Sequence, residues 1–195
     1  SSSSSSSSSS MFQTGIQIKT SSSAAAAKEK PVLESSLTTE QLSVAARVLQ
    51  GDSVFLTGPA GSGKSYLFRF IIQELKKKYI DAGDQALAIT APTGIAAINV
   101  NGQTIHSWAG VGLGKGNADK LIAKVQKSDK VFNRWANCKT LLIDEVSMLP
   151  SDLFQKLSII GAHVRDTPRP FGGIQIVCCG DFYQLPPVGL GKWAE

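Results

Sequence analysis

Ser53-Val54-Phe55-Leu56-Thr57-Gly58-Pro59-Ala60-Gly61-Ser62-Gly63-Lys64-Ser65 is the stretch whose reading decides the fold. Residues 53–57 form a short apolar run of the kind a buried strand needs. Residues 58–65 fit G-x-x-x-x-G-K-[ST] at every fixed position. Residues 64–79 then place Leu67, Phe68, Ile71, Ile72 and Leu75 at helical spacing. The order is therefore strand, glycine-rich loop, helix. A loop that wraps a phosphate turns its backbone N–H groups inward, which requires positions free of Cβ clashes. The helix beginning near Lys64 aims its positive end at the same anion. Gly58, Pro59, Ala60, Gly61, Ser62 and Gly63 are thus expected to cradle the phosphates of ATP. Lys64 is expected to reach the β- and γ-phosphates, and Ser65 to offer its hydroxyl to Mg²⁺.

Outward from this loop the same alternation repeats. Upstream, Thr38 and Gln41 have capping-box spacing at the start of a helix that Gly51-Asp52 ends. Downstream, strands are expected at 86–90, 140–143 and 174–179, with helices after residue 94 and over 150–164. Strands alternating with helices, with polar motifs at the strand C-termini, predict an α/β fold with a mostly parallel sheet flanked by helices. The strand at 140–143 delivers Asp144 and Glu145 to its tip. Asp144 is the expected Mg²⁺ acid, acting through water, and Glu145 the expected base for an attacking water.

Three further segments sit at expected strand ends. Residues 90–97 combine Thr93, Gly94 and a helix start, a geometry suited to phosphate contact. Residues 101–108 carry polar side chains, His106 and Trp108; the tryptophan reads as an exposed aromatic suited to base stacking. Residues 180–187 end a strand with Gln184, whose amide is placed to sense a γ-phosphate.

Composition bounds the rest. The chain has 195 residues and a formal charge of +5, enough for one domain but not two. Its apolar runs are too short for a membrane span. Cys138, Cys178 and Cys179 lack metal-ligand spacing, and His106 and His163 stand far apart. Residues 1–36 are Ser- and Ala-rich and read as a disordered tail, either linker or the end of an organelle transit peptide. Residues 37–195 form the expected domain. Between 115 and 139, Lys115, Lys120, Lys124, Lys127, Lys130, Arg134 and Lys139 face only Asp119 and Asp129, a surplus equal to the charge of the whole chain. That stretch reads as either a solvated helix face or a phosphate-backbone contact.

Taken in order, residues 58–65, 91–97, 104–112, 142–149 and 171–187 resemble the first motor domain of superfamily-one helicases, most of all the PIF (petite integration frequency) family of 5′-to-3′ DNA helicases. Residues 153–157 and 169–173 are similar to that family's signature stretch. The resemblance implies a RecA-like P-loop NTPase domain that hydrolyses ATP with Mg²⁺ and moves on single-stranded DNA. It implies that Gln41 contacts the adenine, that Gln184 couples nucleotide state to DNA, and that Thr93, Gly94 and His106 face the single strand. Roles in replication, recombination, repair and telomere maintenance, in nucleus or mitochondrion and as a monomer, follow from the same likeness.

Such motors have two RecA-like halves, the second supplying an arginine to the transferred phosphate. No second half follows residue 188 here, so the isolated chain is expected to bind Mg-ATP weakly and turn it over poorly. The alternatives are a non-catalytic ATP- and DNA-binding module that lacks its partner domain, and a P-loop kinase with a small acceptor.

Overall fold

The computed structural model describes residues 32–59 and 61–181. Five parallel strands form one sheet in the order β1-β5-β4-β2-β3: β1 (Val54–Leu56), β2 (Leu87–Ala91), β3 (Gln103–Thr104), β4 (Thr140–Ile143) and β5 (Gln175–Cys179). Helices α1 (Thr39–Gln50), α2 (Lys64–Lys78), α3 (Gly94–Asn99), α4 (Ile105–Ala109), α5 (Ala118–Gln126), α6 (Asp129–Asn137) and α7 (Ser151–Val164) link or flank them. The α/β reading holds, with each expected strand and long helix displaced by a residue or less.

β4 explains why its sequence is apolar without interruption. Parallel strands bury both faces, and successive side chains alternate between them. Leu141 and Ile143 enter a core with Trp108, Trp135, Leu157 and Ile160, under α4 to α7. Leu142 enters the opposite core with Phe68, Ile71, Leu75 and Val48, under α1 and α2. β5 divides likewise, Cys178 to the first core and Val177 and Cys179 to the second. The adjacent cysteines thus face opposite sides, and all three cysteines are free thiols.

Local rules account for the helix starts. Thr38 and Gln41 form the capping box, each side chain taking the other's backbone N–H (3.2 and 3.0 Å). Gly51 ends α1 in the left-handed region at φ 108°. The lower edge of the sheet is tied by buried polar groups: Thr140 donates to Gln175 (2.8 Å), whose amide donates to the Val48 and Asp52 carbonyls (2.8 and 2.7 Å).

Two readings change. The aromatic at 108 is not available to bases: Trp108 is 2% exposed and packs against Trp135, the rings tilted by 52° with centroids 4.5 Å apart. The indole Nε1 of Trp135 donates to Ala109 O (3.1 Å), and Arg134 donates to Trp108 O (2.6 Å), so α6 clamps α4. Packed structure also begins before residue 37. Val32 is buried against α2, its carbonyl accepting from Gln73 (3.3 Å), and Glu34–Ser36 forms a helical turn. Residues 1–31 of the expected tail lie outside the described residues. No described helix is long and apolar enough to cross a membrane.

Candidate nucleotide site and nucleic-acid face

β1 ends at Leu56, and the chain turns at once through Gly58 (φ 151°), Gly61 (φ 79°) and Gly63 (φ 81°). At Gly61 and Gly63 the left-handed backbone explains the residue type, because any Cβ there is strained. Gly63 caps α2, so the helix starts at Lys64 with its first N–H groups facing the loop. The Lys64 ammonium donates to the Gly58 and Pro59 carbonyls, the latter at 2.8 Å, and lies 4.0 Å from Asp181 Oδ2. Ala60 lies outside the described residues; Gly61, Gly63, Lys64 and Ser65 line one cavity and Gly58, Pro59, Ser62 and Lys64 another.

The acids arrive by strand parity. Asp144 follows Ile143, so alternation turns it to the α2 face, the face that Leu142 also serves. The β4–β5 register pairs Ile143 with Cys178, which makes Cys179 the cross-strand neighbour of Asp144. The buried Asp144 carboxylate accepts from the Glu145 N–H (3.0 Å) and from the Cys179 thiol. Desolvation holds Asp144 above the usual carboxylate range, against the opposing pull of those bonds and of Arg69. Glu145 is also raised, by partial burial and then by repulsion from Asp144, with Lys64 pulling the other way. Its backbone is left-handed (φ 49°, ψ 41°), which swings the side chain off the strand line into the cleft.

That cleft, about 490 Å³, is lined by Gly61, Gly63, Lys64, Ser65, Glu145 and Asp181, together with Tyr66, Arg69, Cys179 and Gly180. Across the loop a second cavity, also about 490 Å³, is lined by Gln41, Gly58, Pro59, Ser62 and Lys64. Gln41 stands against the loop: a Cβ on Gly63 would come within 2.9 Å of its Nε2. Arg69 and Asp181 were not assigned from sequence. Helical spacing carried a signal for Arg69, one turn after Ser65; Asp181 shares the parity of Val177 and Cys179.

The residues expected to face the single strand gather elsewhere. β2 and β3 pair in parallel with Ala91 opposite Thr104, so residues 92–94 and 104–106 leave adjacent strands side by side. Thr93 caps α3 by accepting from Ala96 N (3.2 Å), and Thr104 caps α4 by accepting from Ser107 N (3.2 Å). Open space surrounds the Gly94 Cα, and His106 is half-exposed. Gln184 lies outside the described residues. The signature residues 169–173 do not reach either site. They form a turn under α7, where Arg165 donates to Gly172 O (2.7 Å) and to the carbonyls of Trp135, Ala136 and Cys138.

A parallel sheet with a glycine loop before α2 and an acid pair after β4 defines a RecA-like P-loop NTPase domain. Comparison with known proteins narrows the class. The model for the PIF1-like helicase family matches residues 36–192, and the chain belongs to that family. It is 50% identical over 159 residues to the ATP-dependent DNA helicase PIF1 of Candida albicans, covering 82% of this chain and 17% of that protein. Against the human ATP-dependent DNA helicase PIF1 it is 43% identical over 162 residues, or 83% of this chain and 24% of that one. Among solved structures, the crystal structure of the Candida albicans Pif1 helicase superposes with a TM-score of 0.73 at 51% identity, over 78% of this chain and 34% of that chain. A Bacteroides Pif1 helicase in complex with ADP-AlF3 and single-stranded DNA gives 0.62 at 32% identity, over 78% and 34%. The chain thus spans about a fifth of the length of the curated relatives it matches.

Proposed function

We propose that this chain is the first motor half of an ATP-dependent DNA helicase, hydrolysing ATP to ADP and phosphate to drive 5′-to-3′ movement on single-stranded DNA. The observation that carries the reading is the convergence of Lys64, Ser65, Glu145 and Asp181 on one cleft at the ends of β1, β4 and β5. The loop N–H groups and Lys64 would bind the β- and γ-phosphates, and Gln41 the adenine. Glu145 would orient a water and take its proton as the water oxygen bonds to the γ-phosphorus. The bond from that phosphorus to the bridging oxygen then breaks, and ADP leaves with the electron pair.

The donor set fits Mg²⁺. This ion takes few protein ligands, preferring one or two oxygens plus phosphate and water. Ser65 and Asp144 supply a hydroxyl and a carboxylate, and a divalent cation would offset the desolvation that raises Asp144 and the desolvation and carboxylate repulsion that raise Glu145. Bound there, the ion would neutralise charge on the phosphates. Thr93, Gly94 and His106 would contact the single strand, and Gln184 would link the two sites. A second RecA-like half in the same monomeric polypeptide would supply the remaining arginine. Action on nuclear or mitochondrial DNA, in repair, recombination, replication and telomere maintenance, completes the proposal.

The test uses a polypeptide in which this chain is followed by a second motor half. Lys64→Ala should lose binding of a fluorescent ATP analogue. Glu145→Gln should bind normally while DNA-stimulated phosphate release falls by about 100-fold or more. Unchanged release by Glu145→Gln would remove Glu145 from its role. Turnover indifferent to single-stranded DNA would favour a small-molecule kinase, and binding without turnover in the parent a non-catalytic module.

A further inference from the structure

The basic stretch between residues 115 and 139 is not absorbed by either site. In α5, Lys120, Lys124 and the capping residue Lys127 fall within about 60° of one another at 100° per residue. Their centre lies about 140° from that of Leu121, Ile122 and Val125, the three residues α5 buries. The lysines therefore occupy the outer face of a helix anchored by its inner one, and all three are exposed. They span about 10 Å along the axis. Asp119 lies off this line and is engaged by Asn117 (3.4 Å). Elsewhere lysines are paired, Lys77 with Glu74 and Lys156 with Asp152 (2.6 Å each). Among the described residues, Lys115, Lys120, Lys124, Lys127, Lys130 and Lys139 make no ion pair.

This face and α6 both touch the segment formed by α4 and the loop after it. A Cβ on Gly112 would come within 2.5 Å of Lys124 Nζ, so that ammonium rests on the loop that leaves α4. Arg134, at the end of α6, donates to Ser107 O (3.0 Å) and Trp108 O, next to His106. The Trp108–Trp135 pair fixes the same junction. An unneutralised row of ammonium groups on a rigid helix face is complementary to a row of anions, and in a chain read as moving on DNA those anions are the backbone phosphates.

We propose that the outer face of α5, Lys120, Lys124 and Lys127, is a second DNA contact that binds the phosphate backbone alongside the Thr93–His106 site. The proposal rests on the DNA reading above and extends it to a surface that reads no sequence. Single-stranded and duplex DNA both present that backbone, and salt dependence separates them. Each neutralised phosphate contributes about 0.7 to the slope of log affinity against log salt for a single strand and about 0.9 for B-form duplex.

The experiment measures fluorescence anisotropy of a labelled oligo-dT and of a labelled duplex with the 195-residue chain across a salt series. Lys120→Glu/Lys127→Glu is the main variant, because Lys124 touches the Gly112 loop and its replacement also perturbs that loop. Its slope should drop by about 1.4 on the single strand or about 1.8 on the duplex, whichever the face engages. Lys120→Glu/Lys124→Glu/Lys127→Glu should drop it by about 2.1 or about 2.7. Nucleotide-analogue binding should stay at the parent level, which reports an intact fold. Parent-like slopes on both DNAs overturn the lysine face and leave the DNA reading standing. A parent chain with no salt-dependent DNA binding overturns both.

Discussion

Glu145 pays for its position with backbone strain and with charge, and both should appear in a melting curve. At φ 49° and ψ 41° it holds a left-handed conformation at the tip of β4. For an L residue that conformation costs about 1–2 kcal/mol. Partial burial, then Asp144, then Asp181 also raise its carboxyl above the ordinary glutamate value. An acid raised in the folded state binds its proton more tightly there than in the unfolded chain. Its contribution is therefore most favourable below the ordinary value and is lost as pH rises through the elevated folded one. At pH 7 the ionised side chain opposes folding. Glu145→Gly removes strain and charge together, at an entropic cost of about 0.5–1 kcal/mol. The net backbone gain is up to about 1.5 kcal/mol, and at roughly 2–4 °C per kcal/mol for a domain of this size Tm should rise by up to about 6 °C. Glu145→Gln keeps the strain and removes only the charge. Thermal denaturation followed by circular dichroism at pH 7, without nucleotide or magnesium, should give the order Gly, Gln, parent from highest to lowest. At about pH 4, where glutamate is largely protonated, the gap between Gln and parent should close. A Gly variant melting below the parent would refute the strain argument. A Gln variant melting below it would refute the repulsion.

Three further outcomes test the packing. Gly161→Ala should destabilise by about 1–3 kcal/mol in urea, because its Cβ would sit 2.6 Å from the Phe171 carbonyl carbon; Gly94→Ala, with open space beside it, should change little. Trp135→Ala should cost about 3–5 kcal/mol, seen as a lower urea midpoint, since it loses the Trp108 ring and the bond to Ala109 O. Burial pushes the thiols of Cys138, Cys178 and Cys179 up to about 12, so a disulfide reagent at pH 8 should leave all three unmodified until guanidinium exposes them.

What the sequence made legible was whatever local rules dictate. The capping box at Thr38 and Gln41, the glycine loop and the apolar strands each follow from neighbours within a few residues. β3, α4 and α6 were not anticipated. A two-residue strand and a five-residue helix have no periodicity to read, and they persist because β2, Trp135 and Arg134 hold them. Trp108 shows the same limit. Its polar neighbours Gln103, Thr104, His106 and Ser107 suggested a solvent face, but burial was decided by Trp135, 27 residues on in sequence. Residues 169–173 were legible as a family mark without their task, which is to close the far end of α7 through Arg165.

Asp144 and Asp181 obey one rule, because strand parity connects both to the core. On β4 the residue that enters the α2 core is Leu142, so Asp144, two residues on, must face the phosphate loop. On β5 the corresponding residues are Val177 and Cys179, and two further along stands Asp181, 4.0 Å from Lys64. A one-residue slip in β4 would carry Leu142 and Asp144 to the other face at once, so the packing that fixes register also fixes the acid. The placement of Asp144 and Asp181 therefore needs no separate folding information beyond the apolar pattern. Glu145 is the exception. Parity alone would turn it toward the α7 side, and its left-handed backbone is what returns it to the cleft. Strain concentrates at the one residue whose proposed chemistry the sheet's alternation cannot deliver.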